Sequence, residues 1–155
     1  MRWSLMTYTV NANQPGGLPG LAEIARFARE VEFAALELSA RDLNDHTPEQ
    51  ARAICAEEGL AISCINGPAD LATADEAGFE AGIGAAMELA EAAVTMACPV
   101  LMLIPGRATS PEDKPRAAAR IAEGLGEVVS RTADLPLTVT IEDFPNPLAP
   151  YASIA

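Results

Sequence analysis

The hydrophobic pattern alternates between two periods along the whole chain. Short apolar runs predict strands over residues 3–10, 33–39, 60–65, 100–104 and 137–141. Between them, apolar residues recur three or four positions apart and predict amphipathic helices. Leu21, Ile24, Ala25, Ala28 and Val31 form the stripe of a helix over 21–32. Ala51, Ile54 and Cys55 face inward on a second helix. It opens at Thr47-Pro48-Glu49-Gln50, where a cap, a first-turn proline and a capping-box glutamine fall in register, and it ends at Gly59. A longer helix over 74–97 carries Phe79, Ile83, Met87, Ala90 and Val94 on one side. Gly78, Gly82 and Gly84 weaken it intrinsically, so packing must hold it. Ser110-Pro111 opens a fourth helix with Ala118, Ile121, Leu125 and Val128 inward.

Strands that are short, apolar and strictly alternating with helices predict an α/β fold with a parallel sheet covered by helices. Predicted strands begin roughly 27–40 residues apart, near the roughly 31 of an eightfold strand–helix barrel. The expected architecture is therefore a partial (β/α)8 barrel of about four to five units, read as a single incomplete domain over 1–155. A doubly wound nucleotide-binding sheet is the alternative. It would place a G-x-G-x-x-G turn after the first strand. Gly16-Gly17-Leu18-Pro19-Gly20 lacks that spacing, and its proline removes a backbone donor.

Composition narrows the classes. Half the residues are apolar, which opposes disorder, and the net charge of −12 opposes nucleic acid and anionic membranes as partners. Cys55, Cys64 and Cys98 stand in apolar contexts without metal-type spacing, so buried reduced thiols and a cytoplasmic location are expected. The N-terminus lacks the apolar run of a signal peptide, and no stretch has membrane-spanning length free of charge or proline.

In parallel strand–helix folds, chemistry collects on loops after the C-terminal ends of strands. The candidates are Tyr8 and Asn11, Glu37 and His46, Asn66, Arg107, and Glu142 with Asp143. Glu142 is foremost. A carboxylate ending an apolar strand needs a partner or a cation, and a hard oxygen donor suits a divalent ion. The competing reading is a rim glutamate paired with a lysine or arginine. Glu37 either binds a substrate hydroxyl or braces another ligand, or it is a structural carboxylate that hydrogen-bonds across the barrel. His46, the only histidine, immediately precedes a helix cap, where a solvent-facing loop residue is the common outcome. Arg107 either meets an anionic substrate or is a surface arginine.

Four segments together resemble a known family: Leu5-Met6-Thr7-Tyr8-Thr9, Phe33-Ala34-Ala35-Leu36-Glu37-Leu38, Thr47-Pro48-Glu49-Gln50 leading to Glu58-Gly59-Leu60, and Thr140-Ile141-Glu142-Asp143-Phe144-Pro145. In order and spacing they are similar to the sugar phosphate isomerase/epimerase superfamily, the xylose isomerase-like TIM barrels. The similarity covers essentially the whole chain but only the N-terminal half or more of the family's domain. It implies a divalent metal (Mg, Mn, Co or Zn) at the C-terminal face of the barrel. It also implies a sugar or sugar-phosphate substrate, with Glu142 as metal ligand and proton-transfer group. The family's other ligands, an aspartate, a histidine and a second glutamate from later strands, have no counterpart. Ile104 stands where many members have histidine.

The activity implied is isomerisation or epimerisation through an enediolate, weak or absent in this chain alone. Further expectations are a fragment or natural half-barrel, and a homo-oligomer that covers the sheet edges. A non-catalytic binding module on the same scaffold is the second reading. An abasic-site endonuclease-like protein is the third, opposed by the single histidine and the acidic charge.

Overall fold

A computed structural model describes residues 3–12, 19–142 and 146–151; the side chains of residues 11 and 12 lie outside the description. Five strands, β1 (Ser4–Met6), β2 (Ala35–Ser39), β3 (Ala61–Pro68), β4 (Val100–Ile104) and β5 (Thr138–Ile141), form one sheet in sequential order, every pair parallel. Helices α1 (Thr7–Ala12), α2 (Leu21–Glu30), α3 (Pro48–Glu57), α4 (Glu76–Thr95) and α5 (Lys114–Arg131) alternate with them. This is an α/β partial barrel, as the hydrophobic pattern predicts. Among the described residues no helix is long and apolar enough to cross a membrane.

The register separates the two faces of the sheet. Leu38, Ile65, Leu101 and Val139 form one row across four strands; the first three are fully buried on the side that packs against the helices. The adjacent row, Ser39, Asn66, Met102 and Thr140, points to the concave side, where Met102 and Thr140 are only half-buried. Period-two alternation thus places apolar side chains under the helices and mixed ones in the concavity. A bulge between Leu36 and Glu37 in the β2–β3 register is held by Ser63, whose hydroxyl donates to the Leu36 carbonyl (3.1 Å) and meets the Ser4 hydroxyl (2.7 Å).

The helix signals of α3 are realised in full. Thr47 Oγ1 accepts from the Gln50 N–H (3.3 Å), Gln50 Oε1 accepts from the Thr47 N–H (2.8 Å), and Gly59 takes φ +70° past the C-terminus. On α4 the buried stripe is Phe79, Gly82, Ile83, Ala86, Ala90 and Ala93. Met87 is half-buried and packs against the core as that side requires, whereas Val94 is exposed. The helix presents its small residues because the chain before it runs close. Leu71, fully buried, lies against both Gly82 of α4 and Gly124 of α5.

Three more expectations need correction. Val31 caps the end of α2 and is exposed. Ala117, not Ala118, is the inward alanine of α5. That helix begins at Lys114, because Ser110-Pro111 opens a turn in which the Asp113 N–H donates to the Ser110 carbonyl. Asp113 instead collects the N–H and hydroxyl of Thr109 and the guanidinium of Arg116, which hold its carboxyl well below the usual carboxylate range.

The largest difference concerns residues 3–10. Only Ser4–Met6 is strand, and the chain turns into helix at Thr7. The β-branched residues Thr7, Thr9 and Val10 favour a strand locally, but β2 ends at Ser39 and turns into a 3-10 helix over Ala40–Leu43. The β1–β2 register leaves Leu38 and Ser39 beside Thr7 and Tyr8 and no strand beside Thr9 and Val10, so at most two further pairs are open to β1. The Ser39 N–H is taken by Thr7 Oγ1 (3.2 Å) and Asp42 Oδ2 (2.8 Å), while the Thr7 hydroxyl donates to Asp42 Oδ2 (2.6 Å). Side-chain oxygens have replaced the ladder.

All three cysteines are free and buried. Burial pushes the Cys55 thiol up to about 11, with the Asp42 charge adding to it, and Cys64 up to about 12, with Glu37 contributing. The native chain is expected to resist iodoacetamide at pH 8 at every thiol, and to be alkylated three times once unfolded in urea. Intact mass of the two samples distinguishes the outcomes. Rapid native modification would contradict the packing described.

Candidate active site at the strand ends

The concave face opens, at the C-terminal ends of the strands, into a cleft of about 590 Å³. Met6, Tyr8, Asn66, Met102, Ile104 and Glu142 contribute to its wall, together with Arg41 from the 3-10 turn. Ile104 and Met102 give it an apolar floor. Among the lining residues described, Glu142 is the one acid and Arg41 the one base.

Each element delivers its residue for a local reason. Glu142 lies one position beyond the Leu103–Ile141 pair, so it leaves β5 at the rim and is exposed. Asn66 is 6% exposed on β3, and its Nδ2 donates to Glu37 Oε1 at 3.0 Å. Glu37 is thereby engaged across adjacent strands and does not line the cleft. The hydrogen bond fixes the direction of the Asn66 amide, whose other polar positions remain for a ligand. Tyr8 reaches the cleft from the first turn of α1 rather than from a strand end. Its ring lies 5.9 Å from the Arg41 guanidinium carbon.

Two predicted residues stand apart. His46 lines a neighbouring cavity of about 360 Å³ shared with Tyr8, Arg41, Asp42 and Asp45. Arg107 lines a cavity of about 370 Å³ on the other side, with Asp70, Asn146 and Tyr151. That second cavity exists because residues 146–151 fold back on the loop after β4, the Ala108 N–H donating to the Leu148 carbonyl (2.9 Å). Burial raises the Tyr151 phenol above its ordinary value, and the Glu142 charge raises it further, which places the two groups in electrostatic reach. Asn11 and Asp143 are outside the described side chains.

Sequence reasoning missed Arg41, Met102 and Tyr151. Met102 was legible as an alternate residue of β4. Arg41 had only its position after β2 as a signal, and Tyr151 had none, because its place depends on a backbone contact between two loops.

The donors present do not complete the metal site that the resemblance implies. Among the described residues no group of three or more histidine, cysteine, aspartate or glutamate side chains is placed to hold an ion. Glu142 is a single oxygen donor, and these residues do not by themselves compose a divalent site.

A parallel strand–helix half-barrel with one acid at the mouth of a concave cleft is the scaffold of barrel enzymes that keep their chemistry at the strand ends. The chain belongs to the xylose isomerase-like TIM barrel family, which its sequence matches over residues 25–153. No curated protein sequence matches it. Among solved structures it is similar to D-psicose 3-epimerase from Clostridium cellulolyticum H10, crystallised with D-tagatose (13% identity, TM-score 0.76, covering 96% of this chain and 55% of that one). It is also similar to 3-keto-D-glucoside 4-epimerase YcjR from E. coli (19%, TM-score 0.69, 93% and 56%). A third similar structure is the IolI protein with a bound zinc atom (14%, TM-score 0.77, 97% and 54%). At these identities the likeness shows the fold. The chain spans about half the length of these structures.

Proposed function

We propose that the cleft binds a small polyhydroxylated carbonyl compound and that Glu142 moves a proton at the carbon beside the carbonyl, the chemistry of a sugar isomerase or epimerase. The observation that carries this reading is the carboxylate of Glu142, the one acid among the described residues that line the cleft at the strand ends. Removing a proton beside a carbonyl leaves an enediolate. A carboxylate that returns the proton to the neighbouring carbon on the same face isomerises the sugar, whereas inverting the centre needs a second proton donor on the opposite face, and Glu142 is the one acid among the described lining residues. In this reading Asn66 holds a substrate oxygen, Glu37 orients Asn66, and the Tyr8 ring walls the ligand. His46 and Arg107 lie outside the reacting region. Family membership and the epimerases of similar fold support the substrate class. A divalent ion of the kind IolI holds would need donors beyond the described residues, so no step is assigned to one.

The test is proton exchange. The chain is incubated with D-tagatose in D2O, with Mn²⁺ and separately after EDTA treatment, and deuterium at the carbons flanking the carbonyl is followed by NMR. Exchange above buffer, reduced on the order of a hundredfold or more by Glu142→Gln, is the expected result. Binding of D-tagatose without any exchange in either condition overturns the reaction and leaves a carbohydrate-binding module. Metal dependence is read from the difference between the two conditions.

A further inference from the structure

The arginines of this acidic chain divide into two groups. On the helices and their ends all but the exposed Arg26 are held by acceptors among the described residues. Arg29 pairs with Glu58, Arg116 with Asp113, Arg120 with Glu76 and Glu123, and Arg131 with Glu127. Arg52 donates to the Thr95 carbonyl. At the strand ends Arg41 has no carboxylate partner among the described residues, although it follows Ser39 and precedes Asp42 in an acid-rich turn. Asp42 Oδ2 accepts from the Thr7 hydroxyl and the Ser39 N–H, and its carboxylate forms no ion pair with Arg41. Arg41 lies instead over the Tyr8 ring and lines the same cleft as Glu142.

We propose that Arg41 is the residue that recognises an anionic group, a phosphate or a carboxylate, on the end of the substrate remote from the reacting carbon. The inference rests on the reading of the cleft as the substrate site. A guanidinium offers a planar fork of donors that matches either anion, and stacking on an aromatic ring restrains the fork before the ligand arrives. With a net charge of −12 the chain repels anions at long range, so an anionic substrate needs a local cation at its binding point. Arg41 follows β2 and Glu142 follows β5, three strand spacings away, roughly 14 Å along the sheet. That separation keeps the anion off the carboxylate and suits an extended sugar chain with its charge at one end. Arg107 is the weaker candidate, because it lines a different cavity from Glu142.

Calorimetric titration at low salt with D-tagatose, D-tagatose 6-phosphate and inorganic phosphate tests this. The phosphorylated sugar is expected to bind at least tenfold tighter than the neutral one. Arg41→Gln brings the two within about twofold, and Arg41→Lys retains part of the preference. Arg26→Gln, which removes the same charge from the exposed side of α2, leaves the ratio unchanged. Circular dichroism verifies that each variant is folded. Equal affinities for both sugars, or a preference that survives Arg41→Gln, overturn the inference and leave the cleft reading intact. If neither sugar binds but phosphate does, and only with Arg41 present, the anion site stands and the cleft reading falls. No binding by any of the three overturns both.

Discussion

Gly82→Ala is expected to destabilise the chain by about 2 kcal/mol, whereas Gly84→Ala, two positions along the same helix, is expected to stabilise it by up to about 1 kcal/mol. Alanine is the better helix former at both sites, so propensity alone predicts a gain at each. The surroundings reverse the sign at Gly82. A Cβ there would meet the backbone carbonyl of Asp70 well inside contact distance, its carbon at 2.8 Å and its oxygen closer still. A backbone carbonyl cannot rotate away as a side-chain tip can. α4 would have to lift from the segment that leads from β3 to Leu71, and Leu71 is fully buried between α4 and α5. Gly84 faces outward, with nothing within 4 Å of the same construction. Urea denaturation followed by helix dichroism measures both. A stabilising Gly82→Ala would mean that α4 does not approach Asp70 as described.

Asp42→Ala is expected to cost about 3 kcal/mol, a large loss for a residue that is itself only partly buried. One carboxylate oxygen accepts both the Thr7 hydroxyl and the Ser39 N–H, and both donors belong to buried residues. Alanine strands the Thr7 hydroxyl, which costs about 1–3 kcal/mol, and leaves the Ser39 N–H only its longer bond to Thr7 Oγ1 (3.2 Å). Asp42→Asn keeps an acceptor of the same shape and is expected to cost about 1 kcal/mol. Thr7→Val with Asp42→Ala is expected to cost less than the two single changes added together, because both remove the same bond. Additive losses in that cycle, measured by denaturation, would show that the two residues act independently. The same network holds the turn that presents Arg41, so Asp42→Ala is also expected to weaken discrimination between D-tagatose and its 6-phosphate.

The two predictions mark where sequence reasoning stops. Its weakest stretch was residues 3–10, read as one strand. Thr7, Thr9 and Val10 favour extended backbone, yet the β1–β2 ladder ends at Met6–Glu37, and the Ser39 N–H beyond it goes to the side-chain oxygens of Thr7 and Asp42. On α4 sequence reasoning selected the exposed Val94 and passed over the buried Gly82 and Ala86. Pattern matching weighs apolarity, whereas close packing at that place selects smallness. On the site, the rule that chemistry gathers after strand ends led directly to Glu142 and Asn66. It could not distinguish His46 and Arg107, which follow strands equally well but open into separate cavities.

The sequence alone determined the alternation of strand and helix, the capped start and glycine stop of α3, the buried thiols and the acid at the end of β5. These are local properties, set by period, by capping chemistry and by hydrophobicity, and they do not depend on what lies across the fold. The tertiary structure decided the rest. It set how far β1 extends, which face of α4 touches Asp70, that Glu37 turns to Asn66, and that Arg41 joins Glu142 in one cleft. Each of these depends on the distance between segments remote in sequence, and that distance exists only once the sheet has curved and its loops have met.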